Sequence, residues 1–197
     1  KVDTIQDTSG NNIINESSDT ITIGASGDTT NIIGTLQNNG SAVATTNGIT
    51  MADQWRLTAN LTMNTSSVTT ISANLERNDN QFEKIGTGMT ESSGIFTFPE
   101  TGIYLILLQA SIEGSSTSTF ASVHLQRTLN NSSYSYLGET VQQNAISNGY
   151  NAAFGQAMMD VTDTTNQKVK LTQDAAAAIT LRGSTNDNRT SITFIRL

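Results

Sequence analysis

Gly94-Ile95-Phe96-Thr97-Phe98-Pro99-Glu100-Thr101-Gly102-Ile103-Tyr104-Leu105-Ile106-Leu107-Leu108-Gln109-Ala110-Ser111-Ile112 holds the only proline of the chain and its densest apolar run. Phe96 and Phe98 alternate with small or polar neighbours as a strand does, Pro99 to Gly102 supply turn chemistry, and Ile103 to Leu108 continue without interruption. That second segment is a strand with two apolar faces, and both need a cover. One packs inside a two-sheet sandwich. In a chain this poor in helix signals, the other is covered by a further copy of the chain. The stretch therefore predicts a β-sandwich that oligomerises.

At 197 residues the chain is long enough to bury a full core, yet only 36% of it is hydrophobic and 6% aromatic. Side chains that favour helices are scarce, β-branched Thr, Ile and Val are common, and Asn, Gly, Asp and Ser recur at short intervals. The fold class is all-β. A formal net charge of −7 comes without the clustered Lys and Arg that neutralise phosphates, so nucleic acid is not an expected partner. With no cysteine there is neither a disulfide framework nor a thiolate zinc site. No segment has the length and apolarity of a membrane span, and no membrane insertion is expected. Lys1 is followed by no signal-peptide pattern, so the N-terminus reads as a fragment or a processed start.

Residues 1–50 differ from the rest. Isolated Ile residues sit between polar turns, as in Asp3-Thr4-Ile5, Asn12-Ile13-Ile14, Asp19-Thr20-Ile21-Thr22-Ile23-Gly24 and Asn31-Ile32-Ile33-Gly34. Each unit of this degenerate repeat offers too few large apolar side chains for a core within one chain, whereas three chains wound together can stack them on a common axis. The reading is an extended, β-rich trimeric stem or docking segment, with Ile5, Ile13, Ile21, Ile23, Ile32 and Ile33 pointing inward. The alternative is a disordered linker, which the recurrence of Ile disfavours.

Residues 51–197 read as the head. Leu57, Ala59, Leu61 and Met63 alternate with Thr58, Asn60 and Thr62 as a half-buried first strand beginning near Trp55, the only tryptophan. Further strands are expected over Thr69 to Leu75, Phe120 to Arg127, Tyr134 to Leu137, Asn151 to Val161, Lys168 to Leu171, Ala177 to Leu181 and Thr190 to Leu197. Their spacing is that of a sandwich or jelly roll.

At Gly94-x-Phe96-Thr97-x-Pro99-x-x-Gly102-x-Tyr104 the sequence resembles the G-x-F-x-x-P-x-x-G-x-Y signature of complement-type globular head domains, which share a ten-stranded jelly roll with the tumour necrosis factor superfamily. Phe120 to Arg127 resembles the next long strand of that family, and Ser191 to Leu197 its last. The G-D turn of the family is replaced here by Asp163-Thr164-Thr165-Asn166. Asp19 to Thr29 is similar to stem repeats of bacteriophage tail fibres and head-surface proteins. Together the resemblances imply a homotrimer whose three-fold axis runs along the stem. They place Leu105, Leu107 and Gln109 towards the axis and Tyr104, Ile106 and Leu108 in the sandwich core, and the same match adds Phe154 and Ile195 to the trimer interface.

Chemistry is sparse. His124, the only histidine, alternates with Val123 and Leu125 and is expected to face solvent or a subunit contact; nothing supplies the geometry of a triad. Asn78-Asp79-Asn80 and Asn186-Asp187-Asn188 lack the Gly and late Glu of a calcium loop and read as polar hairpin tips. Gln173 to Ile179, low in side-chain volume, reads as a tight turn and strand entry. Neither enzymatic activity, metal nor cofactor is expected. The resemblance implies a virion structural protein, and two placements share the same build. One is a fibre or spike whose head adheres to a host surface glycan or protein through loops such as Glu113 to Thr119 and Thr128 to Ser135. The other is a decoration (cement) protein docked on other virion proteins of the capsid shell. A polysaccharide-degrading tailspike is a third reading, but the 14% of charged residues and few aromatics leave little for its groove.

Overall fold

The structure is a computed structural model that describes residues 4–6, 8–9, 12–17, 20–23, 27, 29–30, 32–33, 35–39, 41–42, 48–65, 67–80, 82–114 and 116–197. The chain divides into two compact units, 1–47 and 48–197. Among the described residues every regular element is a strand.

Eight principal strands build the second unit. They are β1 Met51–Leu57, β2 Ile95–Thr97, β3 Gly102–Gly114, β4 Ser118–Thr128, β5 Tyr134–Asn144, β6 Gly149–Val161, β7 Lys168–Ala175 and β8 Ser191–Arg196. All pairings are antiparallel. The first sheet runs β1-β8-β3-β6, and the second runs β2-β7-β4-β5. Short strands extend the first sheet at Leu61–Thr62, Leu75–Arg77, Lys84–Ile85 and Ile179–Leu181, and the second at Thr69–Thr70 and Thr90–Ser92. Where the resemblance implies ten strands, the described head has fourteen, seven of six residues or more and seven of two or three.

The core lies between the sheets. Because side chains alternate along a strand, β3 sends Tyr104, Ile106, Leu108, Ala110 and Ile112 inward against Val123, Leu125, Val169 and Leu171 of the second sheet. The turn Phe98 to Gly102 closes one end with aromatic rings. Phe98 lies 4.6 Å from Tyr104, and Phe96 lies 5.6 Å from Trp55 and 5.3 Å from Phe194, all as tilted or edge contacts. The Tyr104 hydroxyl donates to the Glu100 carbonyl at 2.9 Å. Burial raises its pKa above the usual range for a tyrosine, against the opposing charge of Arg196.

Two glycines of the motif have conformational reasons. Gly94 has φ +82°, and a Cβ there would stand 2.2 Å from the Ile71 carbonyl oxygen. Gly102 has φ +144°, and its Cβ would meet Arg196 Nε at 2.6 Å. A side chain at either position therefore meets both an unfavourable dihedral and an occupied space.

Several expectations need correction. The first head strand precedes the segment assigned to it: β1 ends at Leu57, Thr58–Asn60 is not strand, and Leu61–Thr62 is a separate short strand. The alternation was misleading because Leu57 and Met63 are both buried while Ala59 is exposed in a bend whose backbone packs against Gly183. Thr69 to Leu75 is two short pieces rather than one strand. Strand β7 continues through Gln173 and Asp174 to Ala175, where a tight turn and strand entry were expected. The segment Glu113 to Thr119 is mostly strand, leaving only residues 115–117 between β3 and β4. That connection lies at the opposite end of the sandwich from 129–133, which sits with Gly102 and the ends of β1 and β8 near Met51 and Arg196.

In the first unit Thr4–Gln6, Asn12–Ser17 and Thr20–Ile23 form an antiparallel three-stranded sheet, and Gln37–Asn38 pairs with Ser41–Ala42. Ile5 is opposite Ile14, and Ile14 opposite Ile23.

The turn that replaces the family's G-D is built by Asp163. Its carboxylate accepts from Thr165 N at 2.9 Å, Asn166 N at 3.2 Å and Asn166 Nδ2 at 2.7 Å. The Asn166 side chain first, then these backbone N–H groups, hold the carboxyl below its ordinary pKa.

Two outcomes are expected. Gly94→Ala should lower stability by about 2–4 kcal/mol, from the left-handed dihedral and the overlap with Ile71, read as a lower urea midpoint. For Asp163, a depressed folded-state pKa means that its stabilisation is present above the unfolded value of about 3.9 and is lost as pH falls through the folded value. Asp163→Asn should therefore be less stable at neutral pH and should show a shallower stability loss below about pH 4 in acid titrations followed by circular dichroism.

Candidate functional site

The outward face of the first sheet is the candidate site. Three cross-strand rows compose it. In the first row Ala52, Ile195, Leu105 and Met158 are neighbours on β1, β8, β3 and β6. In the second they are Gln54, Thr193, Leu107 and Gln156, and in the third Arg56, Ser191, Gln109 and Phe154. The face thus grades from apolar near the β3 start to polar further along. Phe154 is 72% exposed and Met158 58%, while Leu105, Leu107 and Ile195 are half-buried. A shallow depression of about 550 Å³ between Gln54, Leu107, Gln109, Phe154 and Thr193 lies on this face.

Its polar end is rigid. Gln109 Nε2 donates to the carbonyls of Asn188 at 2.9 Å and Arg189 at 3.2 Å. Gln54 Nε2 donates to Thr193 Oγ1 at 2.8 Å, and its Oε1 accepts from Asn188 Nδ2 at 2.7 Å and Asn78 Nδ2 at 2.9 Å. Arg56, fully buried, donates to Glu76, Asp79 and Asn78. Asn78-Asp79-Asn80 and Asn186-Asp187-Asn188 therefore spend their polar groups on holding loops. Among the described residues no three His, Cys, Asp or Glu side chains converge as metal ligands do.

The residues expected at the trimer interface, Leu105, Leu107, Gln109, Phe154 and Ile195, share this one face. Met158 was missed, although the alternation Ala152, Phe154, Gln156, Met158 along β6 carried the signal. His124 does not face open solvent. It lies buried under Tyr136 on the outward face of the second sheet, and its two ring nitrogens face Asp174 and Glu139, leaving none for a nucleophile. In the first unit Ile5, Ile21, Ile23, Ile32 and Ile33 are exposed within the single chain. The side chain of Ile13 lies outside the described residues, and Ile14 occupies the aligned position between Ile5 and Ile23.

No family model and no curated protein matches the chain. Solved structures do. Murine APRIL at pH 5.0 is 16% identical with a TM-score of 0.54, covering 75% of this chain and 98% of its own. The Eiger TNF of S. frugiperda is 15% identical with a TM-score of 0.59, covering 74% of this chain and 91% of its own. At this identity the likeness concerns the fold. The head is a jelly roll of the tumour necrosis factor type, built from two antiparallel sheets.

Proposed function

We propose that the protein is a homotrimeric, non-enzymatic structural protein of a virion, a fibre or spike whose head attaches to a host surface. The observation that carries the trimer is the outward face of the first sheet, where Leu105, Leu107, Ile195, Phe154 and Met158 gather without a cover in the single chain. Apolar residues so grouped mark an interaction surface. A three-fold axis along β3 buries three copies of each leucine, worth about 1.5–3 kcal/mol per side chain. The likeness of the head to tumour necrosis factor folds supports the same arrangement.

Attachment is assigned to the end of the head away from Met51 and the start of β3. Asn144, fully buried, ties two connections together there. Its Nδ2 donates to the carbonyls of Ser116 at 2.6 Å and Ile146 at 3.0 Å, and its Oδ1 accepts from Asn151 at 3.0 Å. Such anchoring lowers the ordering cost of binding. The virion assignment rests on the resemblance of Asp19 to Thr29 to phage stem repeats. In the first unit, the same reading turns the Ile positions of three chains towards one another.

Sedimentation equilibrium tests the assembly. Wild type is expected as a trimer and Leu107→Asp as a folded monomer with unchanged β circular dichroism, because three carboxylates would meet on the axis without partners. A monomeric wild type removes the trimer; a trimeric Leu107→Asp protein of equal stability removes the face. Antibody labelling of virions in electron micrographs is expected at fibre tips. Label on the capsid shell would assign a decoration protein instead, and virions without label would end both readings.

A further inference from the structure

His124 is the only histidine of the chain, and β4 holds it between two strands that each offer a carboxylate. On β7, Asp174 Oδ1 lies 2.9 Å from Nε2. On β5, Glu139 Oε1 lies 3.3 Å from Nδ1, within reach of an ion pair but off the line of a hydrogen bond. The residue is 6% exposed, and Tyr136 of β5 covers its ring at a centroid distance of 4.9 Å. By strand alternation β4 itself adds only the neutral Ser122 and Gln126 to this face, with Thr172 of β7 directly opposite the histidine. Lys170 of β7 is stationed over the Tyr134 ring at 4.2 Å.

The chemistry of the ring then matters. A neutral imidazole has one N–H and one lone pair, so between two carboxylates it serves one and turns its lone pair on the other. Only the doubly protonated ring has a donor for each. We propose that Asp174, His124 and Glu139 form a proton-operated latch on the second sheet, in which the doubly protonated ring ties β4 to both neighbours and loss of the Nδ1 proton to water frees Glu139 and loosens β5.

Strand β5 is the side that yields. It is an edge strand, hydrogen-bonded within the sheet to β4 alone, and its register already shifts between Leu125 and Gln126, beside the latch. Strand β7, by contrast, is held by β4 on one side and by β2 on the other. Glu139 is half exposed, so on release it is solvated at once. Histidine is the side chain whose charge ordinarily changes between pH 5 and 8, and the chain contains one. The latch lies on the sheet opposite the proposed trimer face, so its failure would leave the assembly reading untouched.

The test uses the full-length, ¹⁵N-labelled protein, with ring ¹⁵N NMR and hydrogen exchange corrected for intrinsic rates, from about pH 5.5 to 8.5, the range that brackets an ordinary imidazole. Both ring nitrogens are expected to carry protons at the acid end. On deprotonation the amides of β5 around Glu139 should lose about two- to fivefold in protection, the equilibrium worth of a solvent-screened ion pair, while those of β3 hold. Glu139→Gln supplies an amide that can donate to a bare Nδ1, and His124→Gln removes the titrating group; in both, β5 protection should be independent of pH. A ring with one proton at the acid end overturns the latch. So does β5 protection that ignores deprotonation in the wild type, or that keeps its pH dependence in both variants.

Discussion

Everything in the head depends on β3 being apolar on both faces. A strand of this kind is stable only when each face is removed from water, so it takes the centre of the first sheet, with β8 on one side and β6 on the other. Its inward row, Tyr104, Ile106 and Leu108, meets the second sheet. Its outward row, Leu105 and Leu107, has no such partner within the chain. The asymmetry between the two rows turns a stable sandwich into a candidate subunit of an assembly.

The same strand sets the geometry of its surroundings. Gly102 starts β3 with a positive φ and the Arg196 side chain alongside, and the Phe98 and Tyr104 rings meet at a tilt across the turn. Charge is used sparingly and in pairs. Asp53, fully buried, accepts from Arg77 Nε at 2.9 Å, Trp55 Nε1 at 3.0 Å and Met89 N at 2.6 Å, and Arg77 stacks over the Trp55 ring at 4.7 Å. On the other face of β1, Arg56 is tied to Glu76 and Asp79. These two clusters fasten residues 75–89 to β1 from both sides. A buried charge left without its partner is costly, so the pairs hold that segment in one place even though its strands are short.

This economy bears on function. The buried polar groups of the head are largely spent on holding loops, among the described residues no three His, Cys, Asp or Glu side chains converge, and both ring nitrogens of His124 face carboxylates. What remains exposed is a graded face on the first sheet and a tied-down pair of connections at the end away from Met51. Both are suited to recognition on a rigid frame.

Much of this was legible in the chain. The all-β class followed from composition, and the two-faced strand followed from Ile103 to Leu108, because period-two alternation assigns faces without knowledge of partners. Alternation also separates Tyr104, Ile106 and Leu108 from Leu105, Leu107 and Gln109, while the choice of which set faces the core came from the resemblance to complement-type heads. Elsewhere periodicity misled. At Leu57 to Met63 an alternating pattern spans an interruption of the strand, because Leu57 ends one strand, Met63 follows another, and both are buried. His124 was read as turned from the core, which it is, but burial beneath Tyr136 and between two carboxylates depends on Glu139 and Asp174, 15 and 50 positions away along the chain. The local sequence determined which residues share a strand face. Only the tertiary structure decided what lies across from each face, because cross-strand pairing and burial are set by segments far apart in the chain, whose register no local pattern encodes.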